Sequence, residues 1–163
     1  MPSGTEQTLQ VCNCLALRQA ARHVTQFYDQ CLAATGLRTT QFSILAKLKR
    51  LGPMTINALA RELVMDRTTL GRTMLPLERD GLIRIADGKL DRRSKELHLT
   101  KKGADRLRAA GKLWREAQTE FEAAFGGARA AKLRDELHAL VSSELGRSLE
   151  GGKNRRQPGR ATP

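Results

Sequence analysis

Arg67, Thr68, Thr69 and Arg72 fall within two turns of one helical pattern, and their side chains suit a nucleic-acid surface. A guanidinium can fork onto a guanine edge or a phosphate, and a threonine can touch a phosphate, a base edge or a thymine methyl. A little upstream, Thr55 and Asn57 open a shorter helical pattern, where side chain or backbone amide can meet a phosphate. Downstream, Asp91, Arg92, Arg93 and Lys95 crowd a polar stretch between two short apolar segments. An arginine at such a tip suits the negative potential of a minor groove, and Asp91 could hold the Arg93 guanidinium in a bidentate pair.

Several elements have to position these groups. Ile56, Leu59, Ala60 and Leu63 mark a short helix that Thr55 caps. Val64 and Met65 form a turn, and Asp66 caps a helix over 67–80 whose buried side is Leu70, Met74 and Leu77. Pro76 interrupts that helix beyond the Arg/Thr face. Gly81 stops it, and Ile83/Ile85 and Leu97/Leu99 alternate with Arg84 and His98 as two half-buried strands. Helix, turn, helix and hairpin in that order predict a winged helix-turn-helix.

The flanks read as helices. The pattern over 8–33 repeats Leu17, Ala20, Ala21, Val24, Tyr28, Cys31 and Leu32, with Gly36 at its stop. Another helix runs from about Thr40 to Leu51, with Phe42, Leu45, Ala46 and Leu48 inward and Gly52-Pro53 ending it. Thr100 caps a helix over 101–125, on which Leu107, Ala110, Trp114, Ala117, Phe121 and Ala124 form a heptad-like seam. A last helix over 128–149 carries Leu133, Leu137, Leu140, Val141, Leu145 and Leu149. The expected class is mainly α with a small β-hairpin wing. Residues 37–100 form the DNA-binding domain, 8–35 and 101–149 the helical dimerisation region, and 150–163 a disordered basic tail.

Charge agrees with a polyanionic partner. The 163 residues carry a net +12, with an excess of four cations in each of 1–60, 61–102 and 151–163. Residues 103–150 balance, with eight charges of each sign, which suits assembly rather than nucleic-acid contact. Aromatic residues make up only 4%, too few for a single-strand stacking platform. No run is long and apolar enough for a membrane span, and MPSGTEQT lacks the regions of a secretory signal, so a cytoplasmic protein is expected.

Cys12, Cys14 and Cys31 suit reduced thiols, and two helical positions separate Cys12 and Cys14 by about 200°. His23, His98 and His138 are scattered, without metal-ligand spacing. Neither a nucleophilic triad nor a phosphate loop is present, so no cofactor and no enzymatic role are expected. The rival to a sequence-specific regulator is a DNA-coating protein driven by charge alone.

The segments LARELVMDRTTLGRTMLPLERDGLI and DRRSKELHLTKKG resemble the MarR family of transcriptional regulators, over roughly residues 8–149. The second segment resembles the family's wing: an Asp-x-Arg tip, a strand, then Leu-Thr and a Gly opening a helix. The resemblance implies a homodimer on a pseudo-palindromic operator, usually a repressor released by a small organic effector or an oxidant. It makes Arg93 the minor-groove residue and Asp91 its orienting partner. Cys14-Leu15-Ala16-Leu17 is similar to the start of the first helix in the hydroperoxide-sensing branch, which implies Cys14 as a redox sensor. Tyr28 matches one thiolate-partner tyrosine of that branch, while Arg18 and Thr39 replace the others; Arg18 could lower the thiol pKa electrostatically. The competing effector site lies between the DNA-binding lobe and the dimer helices.

Overall fold

A computed structural model describes residues 11–88, 94–143 and 145. The chain divides into two compact units, Met1–Gln118 and Thr119–Pro163. Helix α1 (Asn13–Leu32) is followed by a 3-10 turn, Ala33–Thr35, and by α2 (Thr39–Leu51). Then come β1 (Met54–Thr55), α3 (Ile56–Glu62), α4 (Arg67–Arg79), β2 (Ile83–Asp87) and β3 (Lys95–Leu99). Helices α5 (Lys101–Phe125) and α6 (Gly127–Ser142) complete the described fold.

The mainly α winged-helix class is as the sequence predicts, with differences at the ends. Helix α1 starts at Asn13 rather than near residue 8, because Cys12 is extended (φ −78°, ψ 103°) and its sulfur accepts the Leu15 N–H at 3.4 Å. Cys12 and Cys14 are therefore not set apart by helical rotation, since Cys12 caps the helix instead of belonging to it. Helix α6 stops at Ser142, short of 149. Ser143 turns extended, and both its N–H (3.2 Å) and its hydroxyl (2.7 Å) donate to the Leu140 carbonyl. Leu145 accordingly lies outside the helix, while Leu149 and the tail fall outside the described residues.

A third strand joins the two expected ones. Met54 pairs with Leu97 and Thr55 with Glu96, so the antiparallel order is β1-β3-β2. Within the hairpin Ile83 faces Leu99 and Ile85 faces Leu97. This register puts the apolar side chains on one face, and Ile83 and Leu97 are buried in the core. Leu59 of α3, Leu70, Met74 and Leu77 of α4, and Ile44, Leu45 and Leu48 of α2 join the same cluster. Phe42 and Ala46, expected inward, are only half-buried, and Ile44 takes the interior position.

Two glycines serve tight geometry. Gly36 has φ 71° and stops the turn after α1. Gly103 lies where a β-carbon would come 2.0 Å from the Leu82 carbonyl oxygen, so α5 can start against the turn before β2 only with glycine there. Thr100 fastens the same junction: its hydroxyl accepts the Gly103 N–H (3.0 Å) and donates to the Gly81 carbonyl (2.7 Å).

Candidate nucleic-acid interface

Helix α4 carries the basic face. Its apolar positions Leu70, Met74 and Leu77 are buried, which turns Arg67, Thr68, Thr69 and Arg72 outward, all exposed. Thr68 and Arg72 are four residues apart and Thr69 and Arg72 three, so they share a side of the helix. Leu75, not among the expected contact residues, continues that side and is 63% exposed. The i, i+3 step from Arg72 was the available signal.

The start of the helix is tightly held. One Asp66 carboxylate oxygen accepts the Thr69 N–H at 2.8 Å, and the other accepts the Thr69 hydroxyl at 2.5 Å. These bonds hold the Asp66 carboxyl below the usual carboxylate range, so it is ionised at neutral pH. In the preceding turn Val64 adopts φ 52°, a left-handed conformation costly for a β-branched residue. The Met65 N–H returns to the Ala60 carbonyl at 2.9 Å, which closes that turn.

Thr55 and Asn57 sit at the neighbouring helix start. The Thr55 oxygen accepts the Ala58 N–H at 3.2 Å while its backbone pairs in the sheet, so the residue is half-buried; Asn57 is exposed. Lys47 of α2 reaches Glu62 of α3 at 2.9 Å and steadies that helix. At the base of the wing Lys95 bonds Asp87 across the hairpin, so its charge is shared with a carboxylate rather than offered alone. Asp91, Arg92 and Arg93 lie outside the described residues.

The sensor candidates are not gathered. Cys14 and Arg18 are exposed on α1. Tyr28 lies fourteen residues along the same helix, roughly 21 Å from Cys14 along its axis, so it does not reach that thiol within one chain. Its hydroxyl donates to Gln118 at 2.7 Å instead. An open cleft of about 390 Å³ lies between α2 and α5, where Phe42 and Trp114 stack with centroids 6.0 Å apart. Lys49, Arg50, Arg108, Lys112 and Arg115 surround it, and no carboxylate is among the described residues that line it. No described helix is long and apolar enough to cross a membrane.

Residues 37–95 match the MarR family model. The transcriptional regulator MosR of M. tuberculosis, solved in complex with DNA, is 38% identical, with 80% of this chain and 93% of that one covered at a TM-score of 0.72. The transcriptional repressor CouR, solved on a 23-mer DNA duplex, is 27% identical over 82% of this chain and 94% of its own, at a TM-score of 0.74. The uncharacterized HTH-type transcriptional regulator YwoH of Bacillus subtilis is 33% identical over 85 residues, 52% of this chain. The chain spans between about half and three fifths of the length of the curated relatives it matches.

Proposed function

Because the chain belongs to the MarR family, we propose that it is a homodimeric, sequence-specific regulator of transcription that reads a pseudo-palindromic operator. The observation that carries this reading is the outward face of α4, where Thr68, Thr69 and Arg72 stand on a helix fastened by the Asp66 cap. Residues 37–100 do the reading. Arg67 and Arg72 serve guanine edges or phosphates, while Thr55 and Asn57 meet the backbone. Arg93 enters the minor groove, oriented by Asp91 and flanked by Arg92, and Lys95 supports the wing from its pair with Asp87.

Helices α1, α5 and α6 supply the dimer surface. On α6, Leu133, Leu137, Leu140 and Val141 form a stripe at helical spacing, and each is more than a third exposed. A second copy of the chain is the partner that would cover it. The regulator acts as a repressor, as the name of CouR states for that protein. Release comes from a small organic effector or from oxidation at Cys14. The apolar, cation-rimmed cleft by Phe42 and Trp114 suits an effector with an aromatic body and a negative charge. No catalytic role is assigned.

The test measures binding of the full chain to genomic fragments and to scrambled duplexes at two salt concentrations. A regulator keeps a preference of about a thousandfold or more for its operator, while its overall affinity falls as salt rises. Equal affinity for both duplexes, with a steep salt slope for each, would establish charge-driven coating instead.

A further inference from the structure

The bonds at the start of α4 set not only where Thr69 stands but what it can say to a base. A hydroxyl has one hydrogen to give and two lone pairs with which to accept. An ionised carboxylate has lone pairs only, so the hydrogen in the 2.5 Å contact between Thr69 Oγ1 and Asp66 Oδ2 belongs to threonine. Thr69 has therefore already spent its donor, and on this exposed residue the hydroxyl oxygen keeps only lone pairs to offer.

We infer that the Asp66–Thr69 pair makes Thr69 an acceptor-only reader, selecting a base with an exocyclic amine, adenine or cytosine, on the strand it faces. The inference rests on the regulator reading, in which the first turn of α4 meets base edges. In the major groove, adenine N6 and cytosine N4 present donors, whereas guanine O6 and N7 and thymine O4 present only acceptors. A phosphate oxygen is also an acceptor, and the neighbouring Asp66 charge repels it, so a backbone contact is disfavoured as well. Thr69 is the third residue of α4, within the N-terminal portion that such helices bring to the bases. The neighbouring Thr73 hydroxyl donates to the Thr69 carbonyl, not to its side chain.

Chemistry supplies a polarity reversal as the control. Asparagine at position 66 still caps the helix, its carbonyl taking the Thr69 N–H. Its amide then gives a hydrogen to Thr69 Oγ1, and the threonine proton is released to point outward as a donor. The full-length wild type, Thr69→Val and Asp66→Asn are each put through selection on a randomised duplex library, followed by affinity measurement on single-base variants of the selected site. The wild type should favour adenine or cytosine over guanine or thymine at one strand position per half-site, by about tenfold. Thr69→Val, isosteric but without the hydroxyl, should lose that preference and keep the rest of the motif. Asp66→Asn should turn the same position toward guanine or thymine.

A Thr69→Val motif identical to wild type would overturn the inference, and so would a wild-type preference for guanine or thymine at the position that Thr69→Val releases. An unchanged preference in Asp66→Asn would overturn it too, because the polarity would not then come from the carboxylate. A wild type that selects no motif at all would overturn the regulator reading itself, and the inference with it.

Discussion

Val64 and Gly103 are two described residues whose backbone surroundings restrict the side chain. Val64 is 71% exposed and gains little from burial, yet it sits at φ 52° in the turn between α3 and α4. A left-handed β-branched residue costs about 1–2 kcal/mol, and asparagine adopts that conformation more readily. Val64→Asn should therefore raise the melting temperature by roughly 2–4 °C, measured by thermal denaturation with DNA binding as a control. Gly103→Ala should act in the opposite sense. Its methyl would meet the Leu82 oxygen at 2.0 Å, so backbone has to move, and a loss of about 3 kcal/mol in denaturant unfolding is expected.

Between elements, short polar clamps govern how the helices meet. Asp29, near the end of α1, accepts the Thr39 N–H at 2.7 Å and pairs with Arg38 at 3.3 Å, and so ties α1 to the start of α2. Burial alone pushes the Asp29 carboxyl up, but the Thr39 amide and the Arg38 guanidinium outweigh it and hold it below its usual range. Arg79 does the same for Asp80, as Thr69 does for Asp66. Each folded pKa is depressed, so the stability these groups add is complete above the unfolded value of about 4 and is lost as pH falls through the folded one. Denaturant midpoints should hold level from pH 7 to pH 5 and drop below pH 4. In Asp29→Asn that acid-side drop should be shallower. The Lys47–Glu62 pair is half-exposed and screened by solvent, so its loss should leave the midpoint nearly unchanged.

The whole molecule matters through assembly and charge. A stripe of Leu133, Leu137, Leu140 and Val141 is a poor surface for a monomer, which rarely leaves such a patch to water. Leu137→Asp should shift the sedimentation of the protein toward a monomer. On the proposed two-half-site operator it should also weaken binding by well over tenfold, because one half-site then binds without the other. Helix content should remain, since Leu137 lies outside the buried core cluster. A variant that stays dimeric would reassign the dimer surface away from α6. The net +12 should appear in the salt dependence of binding rather than in the fold.

The local features were legible in the sequence because they depend on neighbours in the chain. Thr55, Asp66 and Thr100 were readable as caps because a cap acts on an amide three residues on. The exposed face of α4 followed from the spacing of Leu70, Met74 and Leu77. Periodicity says which side of an element is apolar, but not what it meets. Only the tertiary structure could pair β1 with β3, stack Phe42 on Trp114 within a cationic cleft, or join Tyr28 to Gln118 across the chain. The polarity of Thr69 lies between these cases. Its spacing from Asp66 was visible in the sequence, but the direction of the hydroxyl proton needed the 2.5 Å contact, because a rotating hydroxyl takes its role from its closest partner.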